Sequence, residues 1–186
     1  MRGMTKGIVA AAGIVALAAC GAATQAGAGA ARPREFSVPI YNANNQQVAS
    51  FSVTQVSPDS VRLVVESSGL PEGVHGTHLH AVGRCDAPQF TTAGAHLNPA
   101  NRQHGLRNPQ GPHAGDMPNL VVGGNGRGRM EAIVRGSLTP GRAPLFDPDG
   151  TALVVHADAD DMVTDPAGNS GARIACGVLA APTAAP

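Results

Sequence analysis

Seven histidines occur in the 186-residue sequence, and six of them are arranged as metal ligands would be. His78 and His80 lie two apart in the run Thr77-His-Leu-His80. Alternation along a strand sends residues i and i+2 to one face, so both rings leave together. His96, His104, His113 and Asp116 follow in a stretch rich in Gly, Pro and Asn with little apolar periodicity. That stretch reads as a loop. Loops of such length inside a compact domain are uncommon and usually either functional or disordered. Four potential ligands favour function. His156 comes far downstream, closing the strand-like run Leu153-Val-Val-His156, which can present its ring rigidly beside the first pair. Spacing therefore suggests a strand-borne group (His78, His80, His156) and a loop-borne group (His104, His113, Asp116), with His96 between them. Imidazoles with one carboxylate and no cysteine suit borderline metals such as zinc and copper. A lone histidine is more often a core or surface residue than a ligand, but six in one pattern are not independent. His75 has the opposite parity to His78 and is read as structural, hydrogen-bonding a loop.

The elements that must position these residues are strands. Phe36–Tyr41, Gln47–Val56 and Ser60–Ser67 are short runs of alternating or β-branched apolar residues. Val61, Leu63 and Val65 share one parity and Arg62 and Glu66 the other, as in a half-solvated strand. Asn42-Ala-Asn-Asn45 and Pro58-Asp59 supply turns. Further strands are expected at His75–Val82, Leu120–Val122, Arg129–Arg135, Ala152–Ala157 and Ala172–Leu179. No segment after the N-terminal region carries a helical stripe. About eight short strands joined by turns and two long loops predict an all-β, Greek-key barrel or sandwich. The sequence has no Trp and 3% aromatic residues, so the core must be built mainly from Val, Leu, Ile and Ala.

The first residues read as a targeting segment. Arg2 and Lys6 precede an apolar run, Ile8 to Leu17, that is too short for a confident membrane span and ends in small residues. Leu17-Ala-Ala-Cys20 has the pattern of a bacterial lipoprotein signal, with an ordinary secretory signal as the alternative. Residues 1–19 are thus the expected signal. Cys20 carries the expected lipid, and 20–34, dominated by Ala, Gly, Thr, Gln and Pro, forms a tether. Residues 35–181 form one domain and 182–186 a tail. Without Arg2 and Lys6, eleven arginines face thirteen acidic residues, a net charge of about −2. No basic stripe suggests nucleic acid. Cys85 and Cys176 remain, and an even pair in an exported chain reads as a disulfide.

Gly76-Thr-His-Leu-His80, Gly94-Ala-His-Leu-Asn-Pro99, His113-Ala-Gly-Asp116, Leu153-Val-Val-His156 and Gly171-Ala-Arg-Ile-Ala-Cys-Gly177 resemble, in order, the signature blocks of the copper,zinc superoxide dismutases. The similarity runs from about Phe36 to Leu179. It implies an eight-stranded Greek-key β-barrel with a long metal-binding loop and a shorter electrostatic loop. It implies one copper ion, on His78, His80, His96 and His156, and one zinc ion, on His96, His104, His113 and Asp116. His96 would then bridge the two and take part in catalysis. The resemblance further implies a Cys85–Cys176 disulfide, an Arg173 that guides and holds superoxide, and an Asp160 that links a copper histidine to a zinc histidine. The implied activity is disproportionation of superoxide to dioxygen and hydrogen peroxide. The resemblance implies superoxide as substrate, and the lipoprotein-type signal implies a membrane partner reached through the lipid on Cys20. A homodimer is compatible with it, since family members dimerise through different faces, but the sequence itself gives no oligomeric state. The expected location is the cell envelope, on the periplasmic side or the cell surface.

Two departures from the family pattern stand out. Thr77 occupies a position where many members have Phe, which alters packing under the copper ligands. The segment Asp158 to Ala172 is short, acidic and free of lysine, so guidance of the anion would rest on Arg173 with help from Arg102 or Arg107. Two other functions fit the ligand pattern: a copper-binding or delivery protein without dismutase activity, and a zinc-only structural or adhesion domain. Zinc hydrolysis is disfavoured, because the implied zinc set has four protein ligands and no open position.

Overall fold

The computed structural model describes residues 35–138 and 145–180, together with Met1. All its strands lie in the compact unit Arg32–Pro186; the other unit, Met1–Ala31, falls outside the described residues except for Met1. The expected signal, Cys20, the tether and the tail at 182–186 therefore also lie outside them. Among the described residues no helix is long and apolar enough to cross a membrane.

Nine strands form one antiparallel sheet: β1 (Glu35–Asn42), β2 (Gln47–Ser57), β3 (Ser60–Ser67), β4 (Gly73–His75), β5 (Thr77–His80), β6 (Leu120–Val122), β7 (Gly128–Arg135), β8 (Thr151–His156) and β9 (Arg173–Leu179). Their order is β4-β6-β7-β3-β2-β1-β9-β8-β5. The two end strands, β4 and β5, are consecutive in the chain and separated only by Gly76. They are one strand that changes partner, pairing with β6 before Gly76 and with β8 after it. Counted that way, eight strands make a nearly closed barrel, as the resemblance implies. The break differs from the continuous strand expected at His75–Val82. Gly76 bonds instead to the end of β8 and the residues after it: its N–H donates to Asp158 O and its carbonyl accepts from His156 N–H. Beyond His80, Ala81 and Val82 bond to the carbonyls of Ala95 and Ala93 in the following loop.

Alternation decides what each face does. Ile40, Phe51, Val53, Leu63, Val65, Leu79, Leu153 and Val155 point inward and are all at most 1% exposed. Each such side chain contributes about 1.5–3 kcal/mol by leaving water. Arg62 and Glu66 on β3 face solvent, with the parity read from the sequence. On β5 and β8, however, the outer face is buried too. His78 stands opposite Val154 and His80 opposite Ala152, and His156 shares their parity. Two loops, 81–119 and 157–172, cover that outer face. A second apolar cluster of Phe90, Ala93, Ala152, Val154 and Cys176, with Cys85 packed against it, lies under the first loop. There Cys85 and Cys176 form the expected disulfide, tying the loop to β9.

Candidate metal centre

The barrel supplies His78 and His80 from β5 and His156 from β8. The loop 81–119 supplies His96, His104, His113 and Asp116. Two isolated bridges, His80 with His96 and His78 with Asp116, lay that loop along the open edge of β5. All six histidines and Asp116 are buried, none more than 7% exposed. Donor atoms of His78, His80, His96 and His156 lie within 4.8 Å of one another, as do those of His78, His96, His104 and Asp116. His78 enters the second group because its ring stacks on His96, with centroids 4.0 Å apart. His113 joins that group through Asp116: its Nδ1 is 3.2 Å from Asp116 Oδ1 and 3.4 Å from His96 Nδ1. His75 belongs to neither group. Its ring nitrogens face the carbonyls of His156 (2.8 Å) and Pro71 (3.0 Å), in keeping with a structural role.

The hydrogen bonds fix which nitrogen of each ring is free. His78 Nε2 meets Asp160 Oδ2 at 2.8 Å, His80 Nδ1 meets Gly94 O at 2.9 Å, and His156 Nδ1 meets Gly171 O at 3.2 Å. His96 Nδ1 meets Asp116 Oδ1 at 3.1 Å. Every one of these partners is an acceptor, so the nitrogen facing it donates and the other nitrogen carries the lone pair. Those other nitrogens are His78 Nδ1, His80 Nε2, His96 Nε2 and His156 Nε2. They are also the buried side-chain nitrogen and oxygen atoms without a hydrogen-bond partner among the described residues. Leaving four buried acceptors unpaired in one place is costly unless something electron-poor binds there. Four converging imidazole lone pairs fit a copper ion.

The loop side is organised around Asp116. Its Oδ2 accepts from the backbone N–H groups of Gly105 (2.8 Å) and His113 (2.9 Å). That leaves Oδ1 facing Nδ1 of His96, His104 and His113 at 3.0–3.2 Å. Three imidazole nitrogens around one carboxylate oxygen is a donor set suited to tetrahedral zinc. Asp160 reaches both groups: one oxygen accepts from His78, and both lie 3.0 Å from His104 Nε2.

Protonation follows from these contacts. Burial lowers the His80 pKa to about 2, helped by His96 and by the charge of Arg173. Burial lowers His156 to about 3, with His78 adding to the effect. Burial also lowers His96 to about 4, against an opposing hydrogen bond from Asp116. These rings are neutral at pH 7, with lone pairs free to bind a cation. Burial alone would lower His104 as well, but Asp116 and Asp160 outweigh it and raise that ring to about 9. Asp116 and Asp160 are held well below the usual carboxylate range, because the histidine hydrogen bonds overcome their burial.

Arg173 opens β9 beside this face. Its guanidinium donates to Phe90 O (2.8 Å) and Gly94 O (2.6 Å). Gly94 O also accepts from His80, so one carbonyl fixes both the cation and a ligand ring. Arg102 donates to Gly111 O (2.7 Å) and Arg107 to Asp161 O (2.5 Å), so both carry their charge on the loop surface. Thr77, in the place of the expected aromatic, is fully buried and donates to Pro118 O at 2.9 Å. Sequence reasoning missed Asn119, whose side chain clamps the Asp160 backbone at both N–H and carbonyl, each at 2.9 Å. It also missed Gly168, where a Cβ would fall 1.8 Å from Asp160 Oδ1. The turn-rich run Gly168-Asn-Ser-Gly171 was the available signal for a tight loop there.

An antiparallel barrel that brings two overlapping histidine-rich donor groups together on its outer face defines a class, the two-metal β-barrel proteins. Residues 48–179 match the sequence profile of a family described as copper/zinc superoxide dismutase. A superoxide dismutase [Cu-Zn] from Aquifex aeolicus is 41% identical over 143 residues, covering 75% of this chain and 84% of its own length. A superoxide dismutase-like protein from Bacillus subtilis is 37% identical over 147 residues, covering 76% and 74%. Among solved structures, a double mutant of a SOD-like protein from Bacillus subtilis superimposes with a TM-score of 0.71 at 37% identity, covering 78% of this chain and 97% of the other. In that mutant a tyrosine and a proline are replaced by histidine. The chain belongs to the copper/zinc superoxide dismutase family.

Proposed function

We propose that this chain uses His78 Nδ1, His80 Nε2, His96 Nε2 and His156 Nε2 to hold copper, and Nδ1 of His96, His104 and His113 with Asp116 Oδ1 to hold zinc. The reaction is the family's: two superoxide ions and two protons give dioxygen and hydrogen peroxide. The observation that carries the assignment is the convergence of four buried, unpartnered imidazole nitrogens on one point. When bound, copper supplies reversible one-electron exchange, which zinc cannot, and zinc supplies a fixed charge.

The chain's own residues do the rest. Arg173, fixed by two carbonyls, is a permanent cation that draws in and orients an anion beside His80 and His156. His96 can carry a proton on Nε2 while its Nδ1 stays on the loop side, and so can deliver a proton to the reduced substrate. Asp160 holds His78 and His104 in the tautomers that present Nδ1 inward. The complete loop-side donor set and the anchored arginine support the dismutase over a copper-delivery role, which needs neither.

The expected lipid on Cys20 would place the enzyme at the cell envelope, where it removes extracytoplasmic superoxide, and a homodimer is an assembly compatible with the family. Metal analysis with a dismutase assay on the purified chain tests the reading. One copper and one zinc per chain with activity support it, and a copper-loaded chain without activity refutes it. Retention of Cys20→Ser in the membrane fraction would refute the lipid anchor.

A further inference from the structure

We propose that Asp165, on the covering loop 157–172, is a positioning residue for the loop-borne metal centre, holding the His104 main chain from outside the ligand set. The inference rests on the zinc reading above. Asp165 Oδ1 accepts from the His104 backbone N–H at 2.6 Å and lies 3.8 Å from His113 Nε2. The same carboxylate thus bonds one loop-side histidine through its main chain and lies near the ring of a second without bonding it. The other backbone group of His104 is tied as well. Its carbonyl accepts from Asn108 Nδ2 (3.0 Å), which also donates to Val163 O (3.2 Å) on the covering loop. His104 is therefore gripped at its N–H by one loop and, through Asn108, fastened to that loop again.

The neighbouring acids work differently. The Asp161 carboxylate bonds only within its own loop, to Thr164, Val163 and Asn169. Asp160 holds ring nitrogens rather than the ligand backbone. Asp165 is the acid that fixes where the His104 main chain sits. Groups that orient metal ligands typically change metal affinity by about 10–100-fold when removed.

The test is zinc affinity of the full chain, measured by competition with a chromophoric chelator, together with the visible spectrum of the Co(II)-substituted loop-side centre. Asp165→Ala should weaken zinc binding by about tenfold, shift the Co(II) bands and leave copper affinity unchanged. Asp165→Asn keeps an acceptor for the His104 N–H and should restore most of the affinity. Asp161→Ala disturbs the same loop without touching a ligand and should bind zinc like the parent. Parent-like zinc affinity in Asp165→Ala, or equal loss in Asp161→Ala, overturns the proposal while leaving the zinc reading intact. A parent chain that binds no zinc overturns both.

Discussion

Replacing both cysteines, as Cys85→Ala with Cys176→Ala, should destabilise the metal-free chain by an amount that the topology sets. The bridge closes a sequence separation of 91 residues. In the chain-entropy treatment, releasing a loop of that length lowers stability by about 4–5 kcal/mol. Cys176 is 1% exposed within the cluster of Phe90, Ala93 and Val154, so deleting its sulfur also leaves a small void. With a urea dependence of about 2 kcal/mol per molar, the unfolding midpoint should fall by about 2 M. Far-UV circular dichroism in a urea titration measures this. A functional consequence should follow, because Cys85 begins the segment whose carbonyls at Phe90 and Gly94 hold Arg173, and Cys176 follows Arg173 on β9. Dismutase activity per bound copper should drop while copper content holds. A midpoint within about 0.3 M of the parent would refute the claim that this bridge constrains the chain. Unchanged activity per copper would refute the claim that it steadies the arginine.

Arg173→Ala should lower the dismutase rate at least tenfold without loss of copper, and should flatten the dependence of rate on ionic strength. Stopped-flow rates against salt check this, and the same slopes in Arg102→Ala and Arg107→Ala show whether the surface arginines share the guidance. Stability of the metal-free chain should peak near pH 6.5. His80, His96 and His156 have folded pKa values of about 2, 4 and 3, below the unfolded 6.5, so their contribution is lost as pH falls below 6.5. His104 is raised to about 9, so its contribution is complete below 6.5 and lost as pH rises through 9. The acid side should be the steeper, with three groups against one at about 1.4 kcal/mol per pH unit each. Denaturant midpoints against pH test the asymmetry. Gly168→Ala should displace Asp160, since the new Cβ would lie 1.8 Å from its Oδ1 and the backbone sits at φ +62°. Zinc retention against a chelator should fall about tenfold, and parent-like retention would show that Asp160 is not needed there.

The barrel could be read from alternation because inward positions such as Val61, Leu63 and Val65 are apolar and their neighbours are not. The ends of β2, β3 and β7 lie within a residue of where the pattern stops. The partner switch at Gly76 could not be read, because it depends on which strand lies alongside and not on the run itself. The buried outer face of β5 and β8 was legible only as histidines, since what covers it is irregular loop. Of the site, the side chains that bear ligand atoms announced themselves by type and spacing. Their supports did not. Gly94 O and Phe90 O are carbonyls that any residue would supply, and Asn119 meets Asp160 only once two distant loops are folded together. Asp165 is one acid among several in the segment Asp158 to Ala172, and nothing in its spacing shows that its carboxylate is aimed at the His104 backbone.

The shared ring of His96 is the central claim, and it can be observed directly. A crystal of the chain loaded with oxidised copper and zinc, with anomalous data at both metal edges, should show one ion on His96 Nε2 with His78, His80 and His156. It should show the other on His96 Nδ1 with His104, His113 and Asp116. Two ions that do not both contact His96, or a single ion at a merged site, would contradict the account.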